Sequence, residues 1–257
     1  MIATRLVNTR LSPSVFTNEK QFNSKGDFMH TKKVLAASSR FAVAILAAVL
    51  TFAAPALAGP PMVCHPIDIG SVQSLAWTTD LGNLNGRTDY DISQLTADTL
   101  ALLGPSTPVL VRMETLRRAA IYAQRDTLVA KRLLLSLKAR TDANQSDALA
   151  QFDYGYLIET YKQLQWARSV GMTVWGRGEW SNPAAGVDGY ASVMKAIELR
   201  GQDPQMEFAA AIITLNDHKG DHEAHAQKAW AGAKEDALLS RNLEENQFMA
   251  IAVKGSN

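Results

Sequence analysis

Apolar residues recur at helical spacing through the middle of the chain, between Thr107 and Ser169. Apolar positions three, four and seven residues apart form one stripe of an α-helix, and such a stripe has to be buried against another element. The pattern predicts three amphipathic helices, which begin at Pro108, after Asp126 and after Ser146. The predicted inner residues are Val109, Met113, Leu116 and Ala120 in the first helix, Leu128, Leu133, Leu134 and Leu137 in the second, and Leu149, Phe152, Tyr156 and Leu164 in the third.

Further helices are predicted on both sides of this central stretch. The predicted elements are residues 93–103 with Ser93 as N-cap, residues 190–199, a helix capped by Asp203 that runs to about Leu215, and residues 221–243. Short polar breaks separate most neighbours, which is typical of antiparallel hairpins. The prediction is an all-α domain over residues 93–257, built as a short array or superhelix of antiparallel helical hairpins.

An apolar run at residues 41–58 precedes this domain. Three basic residues lie before the run and Ala56-Leu57-Ala58 ends it, which is the order of charges and small residues in a secretory signal peptide. Residues 29–58 are therefore predicted to be a signal peptide cleaved after Ala58, and the protein to be exported, either periplasmic or secreted. The alternative is a transmembrane anchor, but the run is short and contains Pro55. Membrane contact is expected only through this segment, before cleavage.

The remaining N-terminal segments lack a helical pattern. Residues 1–28 are interpreted as a polar leader or as the result of a misassigned start codon, with Met29 as the alternative start. Residues 59–92 are predicted to be an extended arm and loops, because GPPMVCHPIDI is rich in proline and the following stretch is rich in glycine and asparagine. Helix is not expected in the arm.

Charge and cysteine content argue against a nucleic-acid-binding protein and exclude a domain stabilised by an internal disulfide. The 257-residue chain has a net charge of +1, and removal of residues 1–58 takes away more basic than acidic residues. The small negative charge that remains gives no electrostatic footprint for nucleic acid. The single cysteine, Cys64, cannot form an internal disulfide, so the stability of the domain has to come from packing.

A glycine-rich segment with two tryptophans, residues 173–189, is the first candidate site. The residues predicted to bind a ligand or partner are Trp175, Arg177, Glu179 and Trp180. Aromatic rings beside an arginine and a carboxylate can hold a peptide or a small polar ligand, and loops on a rigid scaffold often carry function. In the alternative interpretation the tryptophans fill a gap between helices. Trp175 is expected to be the buried indole and Trp180 the exposed one.

Histidines form the second candidate site, as metal ligands. His218, His222 and His225 lie in NDHKGDHEAH, and histidines three or four residues apart on a helix can share a metal ion. The sequence His222-Glu223-Ala224-His225 is one residue shorter than the zinc protease motif. The alternative is a solvated start of a helix, where acidic residues are favoured by the helix dipole.

Cys64 and His65 form the third candidate, a reactive thiol beside an imidazole. Neighbours in an extended segment point to opposite sides, which weakens this hypothesis. There is no Cys-x-x-Cys-His motif for covalent haem, and no cofactor is predicted.

Charged residues at helical spacing suggest ion pairs rather than catalysis. Glu114 with Arg117 and Arg118 forms one group, and Asp153 with Glu159 and Lys162 forms another. At spacings of three and four residues these are interpreted as intrahelical pairs, each worth a few tenths of a kcal/mol.

One hairpin resembles a tetratricopeptide repeat. Gly220-Asp221-His222 is similar to the turn of that repeat, and the alanine-rich segments Phe208–Ala211 and Ala229–Ala233 are similar to its small-residue contacts. The sequence departs from the pattern at Ile213 and His225, where small residues are usual. The resemblance covers about thirty-five residues and implies stacked hairpins with a concave binding face.

These observations predict a binding or scaffold protein of the cell envelope that engages a protein or peptide partner. The alternative, from another class, is a small metal- or thiol-dependent enzyme that uses Cys64, His65 and the three histidines of the cluster.

Overall fold

The structure, a computed structural model, describes residues 61–80, 83–172, 180–215 and 219–246. These residues form helices and loops, and no strand occurs among them, which confirms the predicted all-α class. The helices are α1 (Pro61–Cys64), α2 (Leu95–Leu102), α3 (Val109–Ala123), α4 (Thr127–Ala143), α5 (Ala148–Ser169), α6 (Gly189–Arg200), α7 (Pro204–Thr214), α8 (Lys219–Gly232) and α9 (Ala237–Glu245), with 3-10 turns at Ile92–Gln94 and Ala233–Glu235. Among the described helices, none is both long enough and apolar enough to cross a membrane.

Consecutive helices pack as adjacent pairs, as the hairpin prediction requires. The most extensive contacts join α5 to α6 and α7 to α8. The first pair is close because two glycines meet: a Cβ atom on Gly155 would lie 2.5 Å from the carbonyl oxygen of Gly189. In the second pair, alanines of both helices are buried where the two helices face each other. Small side chains let the helix backbones approach closely in both cases.

Helix α3 lies at the centre of the array. Every one of its residues except Arg118 is buried, and it contacts α1, α2, α4, α5 and α7. The prediction that α3 buries a single stripe is therefore wrong. A helix that is surrounded on all sides buries its whole circumference, including the charged residues Arg112, Glu114 and Arg117.

The predicted inner faces of the next two helices are mostly confirmed. Leu133, Leu134 and Leu137 of α4 are buried, and so are Phe152, Tyr156 and Leu164 of α5, whereas Leu149 is partly buried. One assignment is wrong: Leu128 is 72% exposed. It occupies the second position of α4, on the face opposite to the buried Leu133 and Leu137.

Aspartates begin most of the helices. The side chains of Asp126, Asp147, Asp203 and Asp236 each accept hydrogen bonds from backbone N–H groups of the following turn. The predicted cap Asp203, with Pro204 at the first helical position, is confirmed. The predicted cap Ser93 is wrong, because Asp91 accepts a hydrogen bond from the Ser93 amide at 2.9 Å.

The helix predicted to be continuous over residues 221–243 is divided in two. Asp236 accepts from the amides of Leu238 and Leu239 at 3.1 and 2.9 Å, so it ends one helix and starts the next. The predicted turn at Gly220 is also wrong, because α8 already begins at Lys219. A capping aspartate inside a long apolar pattern is a local signal that the periodicity alone does not show.

The N-terminal arm contains one helical turn, contrary to the expectation that it has none. Pro61 is the first residue of α1, a position at which proline costs no hydrogen bond. Met62 and Val63 are fully buried, and Ile67 and Leu75 follow them into the core. The arm is therefore an integral part of the helical domain. Residues 1–58, with the predicted signal peptide, lie outside the described residues.

Candidate functional sites

The tryptophan segment is described only at its end. Trp175, Arg177 and Glu179 lie outside the described residues. Trp180 is half-buried, and its ring meets the Tyr161 ring edge-to-face, with 5.8 Å between centroids. The Trp180 Nε1 atom is buried and has no hydrogen-bond partner among the described residues. The expectation that Trp180 is the exposed indole is therefore wrong, because its ring packs against Tyr161 of α5.

Residues after Trp180 anchor the segment to one end of the α4–α5 hairpin. The Ser181 amide donates to Thr127 Oγ1 at 3.3 Å, at the start of α4. The Asn182 side chain donates to Gln165 Oε1 at 3.0 Å, near the end of α5. Asn182 Oδ1 also accepts from the Ala184 amide at 2.8 Å, which holds the following turn. The exit of the segment is thus fixed at the beginning of α4 and the end of α5.

The same hairpin carries a concentration of exposed apolar side chains. Leu128 and Leu135 of α4 are 72% and 52% exposed, and Trp166 and Val170 at the end of α5 are 52% and 54% exposed. These four side chains are here named the hairpin surface. The contacts of Ser181 and Asn182 place the start of α4 near the end of α5, and exposed large apolar groups that lie near each other commonly mark an interaction site. Sequence reasoning missed this surface because Leu128 fitted the buried stripe and Trp166 was assigned no role.

Two of the three histidines predicted to bind a metal, His222 and His225, are buried in the α7–α8 hairpin. The Nδ1 atom of His222 lies 2.8 Å from the carbonyl oxygen of Ala211. His225 Nδ1 lies 2.5 Å from Glu207 Oε2, and its Nε2 lies 2.8 Å from the hydroxyl oxygen of Tyr190. His222 and His225 thus pair with α7 and α6, and the interpretation of a solvated helix start is wrong for both.

The protonation states of Tyr190 and Glu207 allow hydrogen bonds that hold neighbouring helices together. Burial raises the pKa of Tyr190 to about 12, helped by nearby carboxylates, so its hydroxyl stays protonated and can donate to His225. Burial also acts to raise the pKa of Glu207, but hydrogen bonds from His225 and Lys228 outweigh it and hold the pKa below its ordinary value. Lys228 Nζ lies 3.1 Å from the second oxygen of Glu207. The carboxylate is therefore ionised and joins α7 to α8.

The metal hypothesis gains no support from this arrangement. His218 lies outside the described residues, and both ring nitrogens of His225 are occupied by Glu207 and Tyr190. Among the described side chains, no group of three His, Cys, Asp or Glu residues is placed to hold a metal ion. His225 would have to give up a buried hydrogen bond to become a ligand.

Cys64 ends α1 and is half-buried. Burial raises the pKa of its thiol, and the positive charge of Arg117 only partly opposes this. A raised pKa leaves less thiolate at neutral pH, which is the opposite of what activates a nucleophilic cysteine. His65 follows it in the chain and is also half-buried. The environment of Cys64 does not activate the thiol.

The predicted intrahelical pairs of Glu114 with Arg117 and Arg118 are confirmed, but their burial does not fit the few tenths of a kcal/mol expected for each pair. Glu114 and Arg117 do form an intrahelical pair at 2.7 Å, but neither side chain is exposed. Asp153 pairs with Arg112 at 2.6 Å and Arg140 at 3.2 Å instead of with Lys162. Burial raises the pKa of Asp153 to about 6, although the two arginines act to lower it.

The predicted group of Asp153, Glu159 and Lys162 in α5 is confirmed in part. Glu159 accepts a hydrogen bond from Lys162 at 2.7 Å, three residues further along the helix. The same carboxylate oxygen accepts from the amides of Gly189 and Tyr190, at 2.9 and 3.0 Å. Glu159 therefore caps α6 from a neighbouring helix, a role that a carboxylate at a helix N-terminus fills well.

Comparisons with protein-family models, with curated proteins and with solved structures give no match to the chain. The resemblance of one hairpin to the tetratricopeptide repeat stays a prediction, and the function has to be inferred from the geometry of the site.

Proposed function

We propose that the protein is an exported scaffold of the cell envelope that binds a protein or peptide partner through the hairpin surface. The observation that supports this proposal is that most of the exposed large apolar side chains of the described residues lie at the α4–α5 hairpin. Six large apolar side chains of the described residues are exposed, and four of them lie in or next to the α4–α5 hairpin: Leu128 and Leu135 in α4, Trp166 in α5, and Val170 directly after α5. Burial of such groups against a partner is the main favourable term in association.

The Trp175–Trp180 segment supports the same location. Its last residue and the two that follow are held at the start of α4 and the end of α5. The predicted binding residues Trp175, Arg177 and Glu179 come immediately before this anchor in the chain. They are proposed to extend the hairpin surface.

The competing enzyme hypothesis has weaker support. The thiol of Cys64 has a raised pKa, and the hydrogen bonds of His222 and His225 link helices together. A general base or nucleophile needs a group that is free to exchange protons with a substrate. A scaffold needs only a rigid array and an exposed surface.

Photo-crosslinking in living cells tests the proposal. We would place p-benzoylphenylalanine at position 166 or 128 in the cells that naturally make the protein. The control is position 199, where Leu199 of α6 is also exposed but lies outside the hairpin surface. The expected result is one shared protein adduct from positions 166 and 128 and none from position 199. The absence of an adduct, or equal adducts from all three positions, would contradict the proposed function.

A second variant separates binding from folding. Trp166→Ala removes an exposed side chain, so its effect on the free energy of unfolding is expected to stay within about 0.5 kcal/mol. The same substitution is expected to weaken the adduct formed from position 128. A large loss of stability would show that Trp166 is a packing residue instead.

A further inference from the structure

The outer face of α4 has an ordered arrangement of apolar and basic side chains. Leu128 and Leu135 are seven residues apart, so they lie on one line along the helix. Lys131 and Arg132 are exposed and follow Leu128 by three and four residues. At 3.6 residues per turn, these two side chains fall on opposite sides of the line between the leucines. The face is thus an apolar stripe with a positive charge on each side.

The two positive charges have no acidic partner within the described part of the chain. Lys138, about two turns further along α4, is paired with Asp142 at 2.7 Å, and Lys195 of α6 is paired with Glu198 at 2.7 Å. Lys131 and Arg132 form no comparable ion pair with a described residue. Their charges are therefore available to carboxylates of another molecule.

The spacing of the leucines and the two basic side chains on the outer face of α4 favour binding of a helix over binding of a lipid surface. Helices that lie in a membrane interface bury a broad apolar face, whereas α4 exposes only two large apolar side chains and carries Asp142 on the same side. A seven-residue spacing of leucines matches the repeat at which two helices pack together. Basic residues beside that stripe select acidic residues at the flanking positions of the second helix.

We infer that the outer face of α4 binds an acidic amphipathic helix of a partner protein. Leu128 and Leu135 pack between apolar side chains of that helix, and Lys131 and Arg132 pair with carboxylates on its two edges. The inference rests on the proposed function and names the chemistry of the partner at that surface. It adds two charged residues that play no part in the proposed function itself.

A synthetic peptide provides the probe. It is a lactam-stapled helix of about 18 residues, or about five turns, with leucine at every seventh position and glutamate on both sides. Its affinity for the purified, processed chain is measured by fluorescence anisotropy. Saturable binding that weakens with added salt is expected, because exposed charges are screened by ions. A peptide of the same composition with the leucines out of register is the matched control.

Substitutions locate the contact. Lys131→Glu combined with Arg132→Glu is expected to reduce the affinity about tenfold or more, since like charges then face each other. Leu128→Ser with Leu135→Ser is expected to abolish binding while the thermal unfolding curve stays unchanged, because both side chains are exposed. Lys195→Glu reverses an exposed charge on α6 and is expected to leave the affinity unchanged.

The outcomes distinguish this inference from the proposed function. Adducts from positions 128 and 166 without peptide binding would overturn the acidic helix and leave the scaffold proposal standing. Equal binding of the out-of-register peptide would overturn the inference as non-specific charge attraction. Binding to phosphatidylglycerol vesicles with the same residue dependence, and not to the peptide, would overturn it in favour of a membrane surface. Loss of both adducts and peptide binding would overturn both proposals.

Discussion

At the scale of single residues, the charged side chains of α3 supply hydrogen bonds that the irregular N-terminal arm cannot make with itself. Arg117 Nη1 donates to the Val63 carbonyl oxygen at 3.0 Å, and Arg118 Nη1 donates to the Leu75 carbonyl oxygen at 2.7 Å. The Ile67 amide donates to Glu114 Oε2 at 3.1 Å. Buried backbone groups without a partner are costly, so these side chains allow the arm to enter the core without regular secondary structure.

Removal of Glu114 tests this role. Glu114→Ala leaves Arg117 buried without its carboxylate, so the free energy of unfolding is expected to fall by about 3–5 kcal/mol. Glu198→Ala on α6 is the control, because it breaks an exposed ion pair with Lys195 and should cost about 0–1 kcal/mol. Urea denaturation of both variants makes the comparison. Similar small losses would show that the charges of α3 are solvated.

The lowered pKa of Glu207 predicts a pH dependence of stability. A carboxyl group whose folded pKa lies below its unfolded value stabilises the fold above the unfolded pKa, and that contribution disappears as the pH falls through the folded pKa. The wild type is therefore expected to be more stable than Glu207→Gln at neutral pH. The difference should shrink as the pH falls below the ordinary value of 4.5. Urea denaturation at a series of pH values measures it, and a difference that is constant with pH would contradict this role of the His225–Glu207 contact.

At the scale of elements, α4 has two faces that the sequence pattern alone does not separate. Leucine occupies positions 128, 133, 134, 135 and 137, so apolar residues occur almost all round the helix. Leu133 is fully buried, whereas Leu135, two residues later, is 52% exposed. Which face is inner depends on where α2, α3 and α5 lie around α4.

A pair of substitutions in α4 measures this difference. Leu133→Ala is expected to lower the free energy of unfolding by about 2–5 kcal/mol, because it leaves a cavity in the core. Leu135→Ala removes the same atoms from the outer face and is expected to stay within about 0.5 kcal/mol of the wild type. Thermal and urea denaturation give both values. Equal losses at the two positions would contradict the assignment of Leu133 to the core and Leu135 to the surface.

At the scale of the whole molecule, the arm links the first part of the domain to the last helix. Asn242 of α9 accepts a hydrogen bond from the Asp68 amide at 2.8 Å and donates to the Asp68 carbonyl oxygen at 2.9 Å. Met62 donates its amide hydrogen to Gln163 of α5 at 2.8 Å. The domain therefore extends to the beginning of the arm, a few residues after the predicted cleavage site.

Cleavage of the signal peptide after Ala58 is a prediction about the whole molecule. If residues 29–58 are a signal peptide, N-terminal sequencing of the exported protein should begin at Gly59. Cleavage there leaves α1 intact, with Met62 and Val63 available for the core. A mature chain that retains residues 29–58, or one that begins beyond Val63, would contradict the processing prediction.

The sequence by itself determined the local features of this protein. Helical periodicity and aspartate caps depend on residues within a few positions of each other, and they predicted α3, α4, α5, α6 and α7 with nearly correct ends. For the candidate site, the sequence drew attention to Trp180 but not to the exposed side chains of α4 and α5.

Only the tertiary structure decided which residues are inside. Glu114 and Arg117 have the spacing of a surface ion pair, yet α3 is enclosed by neighbours that are distant in the chain. Leu128 has the spacing of a core residue, yet no described element covers it. Periodicity specifies which residues share a face of a helix, whereas the burial of that face depends on long-range packing. For that reason the buried charges and the exposed hairpin surface could not be predicted from spacing.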